Sequence, residues 1–513
     1  MDTYIRDQVL RKNKLFDDPT SIFRRLGMFL YQGYVPTAFF NNANISEFHH
    51  VKDYHEQVVY DKNGKRVGTR KIDTLNMPKI VTSFLKRITM GEGYEFAIDN
   101  DEDGEKQKFF EDILSINNFD DAESDNLELM LNGGDKLLVI GYRRQSVRIS
   151  YLNGFKFEVV EYEQGRAKSV VLYTDKVRQD EKNDKMYFYT LLEYHKLHDD
   201  DDEVEPYYEI RREIYQSQER YKLERGVRFN EHIGIFGNFE EHEQFDGVDV
   251  PMFVFTRSPY RNNKQLDTIR GLGLMINALD VNRSIDRTFD ANNREIDKTK
   301  FQIIVPDEML EHAYDKDGNT IDFYNTDTSW YSGLNAGDGF QFEPIIVSPP
   351  IRQEAYTAKL SQDLDIMCMQ LGLSPGTLSF DKHLGRVTAT QVVAEMDETH
   401  RTKVEIGNAL TRGWREMIWS IYRYAKDVWK LIDWQMEKDD IKWELKDSVI
   451  IDDEAEFKKD MEAVREGLMP KREFLMKHYG LGDTEAEEWL SRIDSDDFEA
   501  FEDLIDAEED AET

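Results

Sequence analysis

Leu371-Gly-Leu-Ser-Pro-Gly-Thr-Leu-Ser-Phe-Asp-Lys-His-Leu-Gly-Arg-Val-Thr-Ala-Thr-Gln391 separates two helix-length apolar patterns and belongs to neither. Before it, Tyr356, Leu360, Leu364, Met367 and Leu371 recur at three- and four-residue spacing, the stripe that one helix face presents to a partner. That helix starts after Pro349-Pro350. After it, Leu410, Trp414, Met417, Ile421, Val428 and Leu431 keep the same period, and Thr388-Ala-Thr-Gln391 has capping-box spelling, so a second helix opens near Thr388. Pro375, Gly376 and Gly385 break helix between the two, while Lys382, His383 and Arg386 make the break basic. A basic loop between long helices needs a reason in a chain whose formal net charge is -36.

Outward from this stretch, 513 residues with 33% charged side chains and 12 prolines describe a folded chain of several parts. No run of eighteen apolar residues occurs, so no membrane helix is expected. Arg6, Arg11, Lys12 and Lys14 alternate with Asp2, Asp7 and Asp17 at the start, which is not the pattern of a secretory leader; a cytoplasmic place of synthesis and assembly is expected. The single cysteine, Cys368, sits in an apolar helical pattern and reads as packing. The charge argues against ordinary nucleic-acid binding, which draws its affinity from counterions released around Lys and Arg. Either DNA is not a partner, or it must not stick. Asp199–Glu205 reads as a solvated acidic loop, and residues 483 to 513 hold fifteen Asp or Glu against one Arg. Phe498, Phe501 and Ile505 leave a helical stripe in that acidic end.

The fold class is α+β. Residues 1 to about 260 begin helical and turn strand-rich. Helices are expected at Pro78–Met90, on an Ile80, Phe84, Ile88 stripe, and at Asp121–Asn132, closed by Gly133-Gly134. Strands are expected at 136–142, 147–152, 155–161, 169–173, 186–194 and 207–215 as one antiparallel meander, and a hairpin about Asp61-Lys-Asn-Gly64. Leu266 to Arg294 reads as helix, and 351 to 371 as its antiparallel mate. Between them lies a small β module with strands at 301–305, 321–324 and 342–347, a turn at Asp315–Gly318 and a glycine-rich loop from Gly333 to Gly339. A strand at Ile441–Leu445 and short helices at 454–466, 471–478 and from Thr484 follow.

Catalytic signatures are missing. There is no Walker loop, no His-Glu-x-x-His and no Gly-x-Ser-x-Gly. Gly271-Leu-Gly273 lacks a third glycine and reads as packing; Asp315-Lys-Asp-Gly318 has its glycine too early for a calcium loop; His49-His50 lacks a third ligand. No metal, no cofactor and no enzymatic activity is expected.

The order helix, β module, helix, interrupting loop, long helix resembles the portal proteins of long-tailed bacteriophages. Leu371-Gly-Leu-Ser-Pro-Gly376 followed by Arg386-Val-Thr-Ala-Thr-Gln391 is similar to the most specific passage of that family, with lesser likeness at Leu75-Asn76, Met90-Gly91, Asn117-Asn118-Phe119 and Leu468 to Phe474. The resemblance implies a ring-forming portal fold: a wing over 1–265, stem helices at 266–297 and 350–372, a small α/β clip at 298–349, a tunnel loop at 373–388, a long wing helix at 389–439, a helical crown at 440–495 and an acidic tail at 496–513. It further implies a homo-oligomer, a dodecamer, at one capsid vertex of the virion, through which double-stranded DNA is packaged and ejected. The implied partners are the terminase large subunit, a head-tail adaptor, and the scaffolding and major capsid proteins, with no membrane. Lys382, His383 and Arg386 would touch DNA phosphate in the channel or pair with neighbouring subunits. Trp330 and Tyr331, with the Gly333 to Gly339 loop, would form the clip docking surface or pack between adjacent clips. The acidic tail would meet the genome, the scaffold or solvent. Rival classes are another connector ring of the head-tail junction, a carboxylate-based metal nuclease and an acidic nucleic-acid mimic.

Overall fold

The computed structural model describes residues 19–36, 54–60, 64–180, 185–199, 205–218, 223–298, 350–379, 397–446, 453–465 and 467–479, with Ile5, short strands between 302 and 347, and isolated positions between 482 and 490. The chain divides into two units, one of Met1–Leu384 with Met396–Lys446, the other of Asp447–Thr513 with Gly385–Glu395.

The first unit opens with α1 (Pro19–Tyr31), the hairpin β1 (Glu56–Tyr60) and β2 (Arg66–Lys71), α2 (Met77–Met90) and β3 (Tyr94–Ile98). Next come α3 (Glu105–Ile116) and α4 (Phe119–Gly133), where Gly134 takes φ +96° and donates its N–H to the Met130 carbonyl, the left-handed stop that favours glycine. On α2 the buried apolar side chains include Met77, Val81 and Leu85, one position beyond the expected stripe; of that stripe Phe84 and Ile88 are half-buried against the core and Ile80 is exposed. Pro78 starts the helix but says nothing of its rotation, which packing on α4, on the helix Asp397–Arg423 and on α1 sets.

The expected single meander is two sheets. β4 (Asp135–Arg143) and β5 (Ser146–Asn153) form a three-stranded sheet with β12 (Phe253–Arg257), while β6 (Phe157–Glu163), β7 (Arg166–Asp180), β8 (Lys185–His198) and β9 (Tyr207–Ser217) continue antiparallel in another. β10 (Arg225–Val227) and β11 (His242–Asp246) both pair with β9. The break falls at Asn153-Gly154, where a 3-10 turn with Gly154 at φ +57° replaces a hairpin. Gln164 and Gly165 at φ +48° and +80° make the true hairpin turn that joins β6 to β7.

Residues 266–278 are not helical. They run as an extended strap with one 3-10 turn at Leu274–Ile276, and the helix α5 begins only at Leu279, continuing to Lys298. The cause is a close backbone crossing. A Cβ on Gly271 would lie 1.9 Å from the Gly134 carbonyl oxygen, and one on Gly273 2.0 Å from that of Asn132, so the strap lies on the end of α4 where no side chain fits. Arg270 anchors it. Its guanidinium donates to both Asp135 oxygens at 2.6 and 2.8 Å and to the Gly154 and Phe157 carbonyls, and its Nη1 pairs with Glu158 at 3.3 Å. Arg24 of α1 pairs with Glu158 at 2.6 Å, and all of these side chains are buried. Removing the arginine would strand buried carboxylates, so the network fixes the strap across both sheets.

β13 (Gln302–Pro306) pairs with β16 (Tyr331–Leu334) in parallel and with β17 (Ile345–Val347) antiparallel; β14 (Ala313–Tyr314) pairs antiparallel with β15 (Thr320–Ile321), and the turn expected at Asp315–Gly318 lies outside the described residues. Gly333, read as loop, therefore lies in a strand opposite Val305.

After α6 (Gln353–Leu371) and α7 (Asp397–Arg423), a π turn at Tyr424–Val428 and Lys430 at φ +52° end the helix well before residue 439. Aromatic side chains turn it. Trp429 stacks on Tyr142 and Trp434 on Tyr422, at 5.3 and 5.5 Å, and the buried Tyr424 hydroxyl donates to the Val250 carbonyl at 2.9 Å. β18 (Ile441–Leu445) then pairs with β3, bringing Trp443 against Trp414 and Phe119 at ring distances of 5.1 and 5.4 Å in the main core. In the second unit α8 (Asp453–Arg465) packs on α9 (Lys471–Tyr479) through Phe457 and Phe474, with Asp460 bonded to Lys477 and His478. Most of the acidic end, including the helix expected from Thr484, and the His49-His50 pair lie outside the described residues.

Candidate functional site

Two arrangements surround the stretch that opened the sequence reading. The first is the pair α5 and α6. Glu295 meets Arg352 and Tyr356, and Ser284 meets Asp363, so rising numbers on one helix match falling numbers on the other and the pair is antiparallel. Leu360, Leu364, Met367 and Leu371 are its buried stripe, as the spacing predicts. At the end nearest the β strands in sequence, Arg352 donates to Glu295 from its backbone N–H, Nε and Nη2 at 3.0, 3.1 and 2.8 Å, and the Tyr356 hydroxyl donates to the same carboxylate at 2.5 Å. These bonds hold the Glu295 carboxyl down to about 2 and raise the Tyr356 phenol.

α5 is tied on its other side to the chain before α2. Asp286 accepts the Thr74 hydroxyl at 2.7 Å and the Leu75 N–H at 3.0 Å; Asp290 accepts two bonds from Arg70 at 2.6 Å each and the Asp73 N–H at 3.2 Å. The Arg70 bonds lower the Asp290 carboxyl. The charged residues of α5 are thus partly buried: Asp286 and Asp290 are covered, while Arg287 stays exposed. Between α5 and α6 opens a groove of about 500 Å3 whose charged lining is Arg283, Arg287, Arg352 and Lys359 against Asp280.

The second arrangement is the base of the loop. Gly372 at φ +68° ends α6, and the Leu373 N–H returns to the Cys368 carbonyl at 2.9 Å, the left-handed stop of a Schellman turn. Cys368 is buried, and burial pushes its thiol up, as a packing cysteine requires. The next residues are bolted to the first turns of α7. The Ser374 N–H donates to Thr399 Oγ1 at 2.9 Å, the Thr399 N–H donates to Ser374 Oγ at 3.3 Å, and the Thr402 hydroxyl donates to the Gly372 carbonyl. The Thr377 hydroxyl turns back to the Ser374 carbonyl at 2.7 Å. Both ends of the interval 380–396 therefore leave from one rigid base, because Ser374 and Thr399 each give and take a bond.

The loop cations Lys382, His383 and Arg386, the start of the second helix near Thr388, and Trp330 and Gly339 lie outside the described residues. Tyr331 and Gly333 are strand positions of β16. Sequence reading did not find the Ser374 and Thr399 clamp, since isolated hydroxyl residues carry no spacing signal, nor the basic groove, whose members come from two helices far apart in sequence. Among the described residues no three His, Cys, Asp or Glu side chains gather as a metal site. No helix among them is long and apolar enough to cross a membrane.

Compared with known families, residues 35–498 match the model of the phage portal protein, SPP1 Gp6-like. The chain belongs to that family. No curated protein matches it. In this portal protein the two arrangements share one helix, α6: the antiparallel pair with its charged groove runs along its length, and the clamp of Ser374 on Thr399 lies just past its end. The match covers every element from β1 to α9, in both units.

Proposed function

We propose that this chain is the subunit of a portal ring, twelve copies as in its family, set at one capsid vertex as the channel through which DNA is packaged and ejected. The observation that carries the reading is the family match over residues 35–498, joined to an antiparallel helix pair whose connecting segment forms a small sheet. In this reading α5 and α6 are the stem, the strands between 302 and 347 the clip, the interval after Ser379 the tunnel loop, α7 part of the wing, and α8 and α9 the crown. The clip, with Trp330 and Tyr331, docks the terminase motor and later the head-tail adaptor; scaffolding and major capsid proteins meet the assembled ring. The role is mechanical, not catalytic.

The net charge fits this role. A ring of chains each at -36 offers passing DNA few contacts that release counterions, so the duplex slides. Electron microscopy of the purified protein tests the reading directly. Rings with a central hole are expected; compact single particles at all concentrations would reject the portal role, and divalent-metal-dependent DNA cleavage would replace it by the nuclease reading.

A further inference from the structure

We propose that the groove between α5 and α6 is a socket for a second copy of this chain, filled by the opposite, acidic flank of that copy's α6. The inference rests on the ring reading and names a contact that joins one subunit to the next. The groove departs from the charge of the molecule: Arg283, Arg287, Arg352 and Lys359 stand against Asp280 and the paired Glu295 and Asp363, a locally positive place in a chain of net charge -36. Arg352 and Lys359 already bond Glu295 and Asp363, but Arg287 is exposed and forms no ion pair among the described residues. Ala291 and Ala355 add small side chains to the lining, so the groove admits side chains from outside.

The complementary surface is on the same helix. Glu354, Ala358, Ser361 and Asp365 fall at i, i+4, i+7 and i+11, one face of α6, and Glu354, Ala358 and Asp365 are exposed. Arg352, Ala355, Tyr356 and Lys359 take the flank towards the groove, and the buried Leu360, Leu364 and Met367 stripe lies between the two. A closed ring of identical chains joined head to tail needs two different, matching surfaces on each chain. The basic groove and the acidic flank meet that need, with Ala358 and Ser361 letting the partner helix approach. Met369, 73% exposed beside the acidic flank, would be covered in the same contact.

Charge exchange tests this on the full chain. Arg287→Glu and Asp365→Lys are each expected to raise the concentration for half assembly by about tenfold or more, because each puts like charges together across the contact. Both variants should keep the wild-type melting temperature, since both positions are exposed. Mixed in equal amounts, they should assemble again into alternating rings. Every contact then joins opposite charges, either the introduced carboxylate at position 287 with the introduced ammonium at position 365, or the native arginine with the native aspartate.

Each outcome decides. Wild-type assembly by either single variant, or folded variants that stay unassembled on mixing, overturns the socket while leaving the ring reading intact. Arg287→Glu rings that assemble normally but lose duplex DNA binding assign the groove to nucleic acid instead. A wild-type chain that never forms rings overturns the ring reading and the socket together.

Discussion

At the residue scale, glycine and arginine decide where the chain may pass. Gly271 and Gly273 stand out in the sequence as packing glycines, and they are, but they serve a strap rather than a helix because the contact is with backbone of α4, far away in sequence. Spacing alone reports that a side chain is missing, not what fills its place. Gly271→Ala should cost about 3 kcal/mol or more, since a methyl 1.9 Å from a carbonyl oxygen must push the strap off α4; chemical denaturation measures it. An exposed Gly234→Ala, whose Cβ would meet nothing and whose φ is not left-handed, controls for the change itself.

A second residue-scale expectation concerns acid. Burial would raise the Glu128 carboxyl, but hydrogen bonds from Lys79, Lys86 and Tyr31 outweigh it and lower the group from 4.5 to about 2. A depressed carboxyl stabilises the fold above its unfolded value and loses that contribution as pH falls. Wild type should therefore lose stability between about pH 4.5 and 2 relative to Glu128→Gln, which cannot titrate. Melting curves taken across that range, converging downward, are the check; parallel curves would mean the three partners do not hold the charge.

At the element scale, the antiparallel helix pair was legible because its stripe repeats over many turns, and the strands because β-branched and aromatic runs end at Asn-Gly and Gln-Gly turns. The rotation of α2 and the early end of α7 were not. Both are set by what the helix meets: α4, α7 and α1 for the former, and for the latter Trp429 and Trp434 folding back onto Tyr142 and Tyr422. The loop's presence was legible from Pro375 and Gly376, yet its fastening rests on hydroxyl groups that composition cannot place. Thr399→Val removes the acceptor of the Ser374 N–H and should cost about 1–2 kcal/mol locally. Hydrogen exchange at the Ser374 amide should accelerate by roughly tenfold while the core amides around Trp414 keep their protection. Equal acceleration throughout would show that the base is not a separate element.

At the scale of the whole molecule, the proposed portal role sets a chain of net charge -36 against DNA. Two places depart from the charge: the groove of the helix pair, for which the chain's own acidic flank is the proposed complement, and the basic stretch with Lys382, His383 and Arg386, which follows the clamped Ser374 in sequence. If the loop cations meet phosphate, they do so against a repelling background, so contact is brief and the duplex is braked without being held. Lys382→Glu with Arg386→Glu changes each chain by four charges, two at each site. Rings should still form, since neither position belongs to the helix-pair contact, while heads filled by the variant should leak DNA faster than wild type. Salt separates phosphate contact from pairing with a neighbouring subunit. Raising it weakens wild-type phosphate contacts, so wild-type retention should fall towards that of the variant, whereas cations engaged with a neighbouring subunit would make ring assembly, not retention, the quantity that the double variant and salt both disturb.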